Sequence, residues 1–238
     1  MADVVLAPAK LTLSLRVTGT RDDGYHLLDA EMVSIDLVDE LTFGPGDGLE
    51  LVGAGPDVPT GHNNLIRRAL AALDRTALVR VVKRIPSGAG LGGGSADAAA
   101  VLRWAGVSDL TLAATLGADV PFCLVGGRAR VTGVGEVVEP LPFEPCAYTL
   151  LTPPLHCSTA AIYRAWDDLG GPTADGPNDL EPAALSVEPE LARWRDRLGD
   201  ATGRTPVLAG SGGTWFVEGD FPGDGHVVVH TLPASGDA

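Results

Sequence analysis

The sequence predicts an α+β protein built in two halves. Three observations carry this. Strand-like runs alternate with helical ones along the whole chain, the Gly- and Ala-rich stretch 86–105 reads as a loop opening a helix, and Pro140, Pro142 and Pro145 cluster as a hinge. That hinge divides the expected domains into 1–145 and 146–238. The 238 residues, 45% of them hydrophobic, provide a core for two modest domains.

Residues 4–6 and 11–17 read as strands, the second alternating through Leu11, Leu13, Leu15 and Val17. A polar turn at 18–24 precedes an apolar-rich run over 27–43. The Gly- and Pro-dense segment 44–61 reads as loop with room for one short strand. Asn63 or Asn64 can cap a helix bearing Leu65, Ile66, Ala69, Leu70 and Leu73. The β-branched run 77–85 is a strand. An Ala-rich helix then runs from about Ser95 to Ala105 and stops at Gly106, and Ser108 caps another through Leu116, closed by Gly117. Residues 126–140 read as a hairpin and 150–151 as a strand. The segment 158–169 is a helix with Ile162, Trp166 and Leu169 on one face. Residues 189–198 form a helix ending at Gly199, and 226–232 a last strand.

A net charge of −14, from 17 Lys and Arg against 31 Asp and Glu, excludes the basic footprint of a nucleic-acid or anionic-membrane binder. No apolar run reaches the ~20 residues of a membrane span, and the N-terminus lacks the basic and apolar regions of a signal peptide. Cys123, Cys146 and Cys157 have no CxxC spacing, so reduced thiols in a cytoplasmic protein are expected, with Cys146 and Cys157 the one pair able to approach across a turn. His226 and His230, four apart on a strand-like run, do not make a helical metal pair. Trp194 among Arg193, Arg195 and Arg197 has the phase of an amphipathic surface helix.

The most informative segment is Pro86, Ser87, Gly88, Ala89, Gly90, Leu91, Gly92, Gly93, Gly94, Ser95 and Ala96, which follows a strand and opens a helix. Five glycines in seven residues leave the backbone bare for phosphate oxygens, and the helix start adds N–H groups and a dipole. No Lys-Ser or Lys-Thr follows, so it is not a Walker A loop. The dinucleotide fingerprint needs a second strand ending in an acid, and Ala- and Leu-rich helical sequence fills that interval. Ser95 is placed to offer its hydroxyl to a phosphate or to Mg²⁺. Of only two lysines, Lys10 lies at the start of an apolar strand and Asp119 directly after a helix stop. Each alone also reads as an edge charge, a turn residue or a cap. Together with a phosphate-binding loop they are the minimum set for phosphoryl transfer to an alcohol. Lys10 is the one lysine placed where that chemistry would need it.

Pro8-Ala9-Lys10-Leu11, Arg21-Asp22-Asp23-Gly24-Tyr25-His26-Leu27, Asn64-Leu65-Ile66, the loop, Gly117 to Phe122 with Gly126-Gly127, and Gly210-Ser211-Gly212-Gly213-Thr214 follow one another along nearly the whole chain. In this order the sequence resembles the GHMP kinases: galactokinase, homoserine kinase, mevalonate kinase and phosphomevalonate kinase. Gly24-Tyr25-His26 resembles the branch that acts on a cytidine-bearing substrate. The resemblance implies a two-domain fold, with a ribosomal-protein-S5-like N-terminal domain and a shortened ferredoxin-like C-terminal domain. It implies transfer of the ATP γ-phosphoryl group, with Mg²⁺, to the 2-hydroxyl of 4-diphosphocytidyl-2-C-methyl-D-erythritol on the non-mevalonate route to isoprenoids, by a monomer or weak homodimer. Asp119 matches the catalytic acid that takes or orients the hydroxyl proton, and Lys10 the lysine beside it. Residues 86–96 match the ATP loop, with Ser95 near Mg²⁺. Tyr25 and His26 match the cytidine site, joined by Thr159 and by Tyr163, which reads equally as a core residue. Gly210 to Gly213, with Gly212 at the substrate, match the third glycine motif. Thr12 stands where the family usually has Asn, so a substrate hydrogen bond is shortened or replaced. The alternatives are a homoserine-kinase-like GHMP enzyme or a catalytically silent nucleotide-binding paralogue.

Overall fold

The computed structural model describes residues 3–53, 55, 58–155 and 157–234. Two long strands, β1 (Asp3–Thr20) and β2 (His26–Gly44), form an antiparallel ribbon. The sequence suggests two strands where β1 is one. Pro8 cannot donate a ladder hydrogen bond, and the chain absorbs it with a bulge between Pro8 and Ala9, on a strand whose ladder partner among the described residues is β2. The ribbon closes through a tight turn in which Arg21 N donates to Tyr25 O at 2.7 Å and Gly24 adopts φ +85°.

Further strands are β3 (Gly48–Val52), β4 (Leu78–Val82), β5 (Arg128–Gly133), β6 (Val137–Leu141), β7 (Ala147–Leu151), β8 (Val207–Leu208), β9 (Trp215–Glu218) and β10 (His226–Leu232). They pair in the order β3-β4-β2-β10-β7-β9-β8, with β1 and β5 also on β2 and β6 on β5. The strand β10 pairs with β7 over most of its length and reaches Ser34 and Ile35 of β2, which makes the sheet continuous across the expected hinge.

The helices are α1 (Leu65–Ala72), α2 (Gly93–Trp104), α3 (Leu110–Leu116), α4 (Val120–Val125), α5 (Thr159–Asp168), α6 (Glu181–Val187) and α7 (Leu191–Thr202). The Ala-rich α2 lies against β1 and is buried from Ala96 to Leu102, because small side chains let it approach the sheet closely. Asn64 caps α1 by accepting from Ile66 N at 2.9 Å.

Three boundaries differ from expectation. Asp109, not Ser108, caps α3, accepting from Thr111 N at 2.8 Å and Leu112 N at 3.2 Å. Helix α7 runs past Gly199 to Thr202 and ends at Gly203, whose left-handed φ of +65° turns the chain out of the helix while its N–H caps Gly199 O. Helix α2 starts two residues early, at Gly93. The short α4 and α6 were not anticipated, although Pro121 and Pro182 in their first turns are helix-start signals. All three cysteines are free thiols.

Candidate active site

The glycine loop leaves β4 and climbs to α2 through left-handed turns at Gly88 (φ +70°), Gly90 (φ +80°) and Gly92 (φ +69°). A side chain at Gly90 would meet Ala209 O at 2.5 Å and Gly212 Cα at 2.7 Å. The third glycine motif is therefore stacked on the loop, and Thr214 N donates to Ala89 O at 3.2 Å to hold it there. Asn178, 1% exposed, fixes that motif from behind by donating to Leu208 O and Gly210 O at 2.9 and 2.7 Å. Nothing in the sequence reading singled out Asn178.

Residues 86–95 line a cleft of about 410 Å³, together with Asn64, Lys10 and Asp119. Ala96 is buried behind it, and its N–H closes the first turn of α2 onto Gly92 O at 2.8 Å. Lys10 reaches the cleft from the middle of β1, with its own N–H bonded to Leu91 O at 3.1 Å. Its Nζ lies 3.6 Å from Asp119 Oδ2 and donates to Thr12 Oγ1 at 3.0 Å. Asp119 stands at the N-terminal cap of α4, one-third exposed. The cationic end of that pair is buried and the anionic end open, so the carboxylate is the member free to meet an incoming hydroxyl. Thr12 is 1% exposed, and its Oγ1 accepts from Lys10.

Lys83 corrects an expectation. It also lines the cleft, so Lys10 is not alone there. Its ammonium donates to Asp39 Oδ2 and, at 2.6 Å, to Asp97 Oδ2. Asp39 takes two further bonds from Arg84 N and Ile85 N. Asp97 Oδ1 has no partner among the described residues. One ammonium cannot satisfy two buried carboxylates. Burial pushes Asp97 up, Lys83 pulls it back only in part, and the Asp39 charge adds to the rise, to about 7.

Outside the residues that line the cleft, His26 and Tyr163 come together, with ring centroids 4.7 Å apart. Burial, and then the Asp119 carboxylate, push the Tyr163 phenol up. Tyr25 is 62% exposed, with the Arg21 guanidinium over its ring at 5.7 Å. Thr159 Oγ1 and Ser211 Oγ share a hydrogen bond of 2.9 Å at the edge of the cleft. The remaining predicted residue, Gly212, makes its contact with the loop rather than with open space.

Residues 64–127 match the model of the GHMP kinases N terminal domain. The chain is 39% identical to the 4-diphosphocytidyl-2-C-methyl-D-erythritol kinase of Ruegeria pomeroyi, covering 95% of this chain and 91% of that protein. It is 38% identical to the enzyme of the same name from Paramagnetospirillum magneticum, covering 88% and 86%. A crystal structure of 4-(cytidine 5'-diphospho)-2C-methyl-D-erythritol kinase superposes with TM-score 0.78 at 34% identity, covering 96% of this chain and 99% of the other. Methanococcus jannaschii mevalonate kinase, at 13% identity and TM-score 0.59, shares the fold. The chain belongs to the GHMP kinases and, within them, to the family of 4-diphosphocytidyl-2-C-methyl-D-erythritol kinases.

Proposed function

We propose that this chain is an ATP-dependent small-molecule kinase that phosphorylates the 2-hydroxyl of 4-diphosphocytidyl-2-C-methyl-D-erythritol, on the non-mevalonate route to isoprenoids. The observation that carries the chemistry is the Lys10–Asp119 pair, 3.6 Å apart, opening into the same cleft as the glycine loop. The substrate assignment is supported by the relatives' identity over most of the chain.

In this reading the backbone N–H groups of residues 88–95 and the start of α2 bind the ATP phosphates, which removes the need for a basic surface. Asp119 accepts a hydrogen bond from the substrate hydroxyl and aligns its oxygen with the γ-phosphorus. In a loose transition state that positioning matters more than complete proton removal. Lys10, anchored on Thr12, offsets the charge gathering on the transferring group. Tyr25, His26 and Tyr163 hold the cytidine end, and the motif at Gly212 keeps the loop in place. The cleft belongs mainly to the proposed domain 1–145, with Thr159 and Ser211 of 146–238 at its edge.

Among the described residues no group of three or more His, Cys, Asp or Glu side chains comes together to hold a metal. The Ser95 hydroxyl and the Asp119 carboxylate in one cleft fit a different arrangement, a Mg²⁺ that enters with the nucleotide and keeps phosphate and water ligands. Bound there, Mg²⁺ neutralises phosphate charge. No helix among the described residues is long and apolar enough to cross a membrane.

The test is ADP release from ATP and Mg²⁺ with the cytidyl substrate, run beside homoserine and mevalonate. Turnover is expected with the first acceptor alone. Folded protein that ignores it, or prefers homoserine, would overturn the assignment.

A further inference from the structure

His26 is held from three directions by one face of α5. Its Nε2 lies 2.8 Å from Asp167 Oδ1, its ring lies on Tyr163 with planes 30° apart, and the Trp166 indole meets it edge-on at 5.5 Å. Positions 163, 166 and 167 share a helix face by their spacing. Trp166 is itself fixed, because its indole N–H donates to Pro172 O at 3.0 Å. The His26 side chain is only 10% exposed, so this is a seated ring rather than a loose surface pair.

We propose that Asp167 is a positioning residue for base recognition: by accepting from Nε2 it keeps the imidazole proton there and presents Nδ1 as an acceptor to the substrate base. A carboxylate has no proton to give, so a neutral imidazole facing it must direct its N–H toward it. The other nitrogen is then an acceptor, and no described residue bonds to it. An acceptor at that point matches the exocyclic amino group of cytosine. It opposes the carbonyl that uracil carries in the same place, where two acceptors would face each other unpaired. The stacked Tyr163 and the edge of Trp166 stop the ring from turning to offer its other nitrogen. This inference rests on the cytidine reading of His26 given above and adds to it the residue that sets which pyrimidine is read.

The test compares kcat/KM for 4-diphosphocytidyl-2-C-methyl-D-erythritol and for its uridine counterpart, in the wild type and in Asp167→Ala, Asp167→Asn and Asp167→Glu. In the wild type the cytidyl acceptor is expected to be preferred by about 10-fold or more, the scale of one mispaired hydrogen bond. Asp167→Ala removes the bias on the tautomer, so that preference should shrink about 10-fold through KM, with kcat at saturation nearly unchanged. Asp167→Glu should restore most of it. In Asp167→Asn the amide can donate to Nε2, which moves preference toward the uridine acceptor. Imidazole ¹⁵N shifts should place the His26 proton on Nε2 in the wild type. A proton on Nδ1, or an Asp167→Ala enzyme that loses both acceptors equally with their ratio intact, would overturn the proposal. A wild type that treats the two acceptors alike would overturn the cytidine reading as well, before any variant is made.

Discussion

A Cβ on Gly92 would lie 2.8 Å from the Cγ of Lys10, so the cap of α2 and the stem of the lysine on β1 share one space. The phosphate loop and the charged pair are thus packed as a unit. Gly92→Ala tests this. The left-handed φ of +69° makes any side chain cost about 1–2 kcal/mol, readable as a lower urea midpoint. The displaced lysine should cost more in rate than in fold, with kcat down about 10²-fold for a shift of roughly an ångström. A variant that is destabilised but keeps its kcat would uncouple the loop from Lys10.

Asp119→Asn keeps the size of the cap residue and removes the charge. kcat is expected to fall by about 10²-fold or more, while KM for ATP rises far less, since the loop holds the phosphates and Asp119 meets the nucleotide only through its Mg²⁺. Initial rates at saturating concentrations of both substrates measure this. A variant within a few-fold of wild-type kcat would take Asp119 out of the mechanism.

Tyr25 is exposed, and its loss should leave the core untouched. Removing an aromatic platform costs about 1–3 kcal/mol per stacked base. Tyr25→Ala is therefore expected to raise KM for the cytidyl substrate about 10-fold or more, with KM for ATP nearly constant. Equal rises in both would argue against a cytidine site at this turn.

The buried cluster of Asp39, Lys83 and Asp97 makes stability depend on pH in a defined direction. Asp97 holds its proton more tightly in the folded chain, at about 7, than at its ordinary value of 3.8. Its contribution to stability is therefore complete below about pH 4 and declines as the pH rises to about 7, because the folded state binds the extra proton across that interval. Asp97→Asn abolishes this titration. Its stability relative to the wild type should rise between pH 5 and pH 8, followed as the difference in urea midpoints. A difference that stays flat would mean that Asp97 is ionised throughout.

The parts of the site that the sequence disclosed are those where one residue type does one local job. Glycines at Gly88, Gly90 and Gly92 are required by left-handed turns, so the phosphate loop was visible as composition. Lys10 and Asp119, each readable alone as an edge charge or a cap, stood out only in combination with that loop. Lys83 carries no local mark, because its partners lie 44 and 14 residues away and only the fold brings them together. Asn178 was hidden for the same reason, 32 residues from the Gly210 carbonyl it holds. Asp167 carries no local mark either, since its partner His26 lies 141 residues away. The bounds of α3 and α7 moved because Asp109 out-competed its neighbour Ser108 as a cap and because Gly203, not Gly199, takes the left-handed turn that ends the helix.

The central claim is a phosphoryl group moved from ATP to the 2-hydroxyl of the cytidyl substrate, and the ³¹P spectrum of the turnover mixture reads it directly. That hydroxyl sits on a carbon bearing a methyl group and no hydrogen, so the new phosphate monoester should appear as a resonance without proton splitting. It should grow in step with ADP and be nearly absent with Asp119→Asn. A monoester resonance split by neighbouring protons, or ADP formed with no new monoester, would contradict the account.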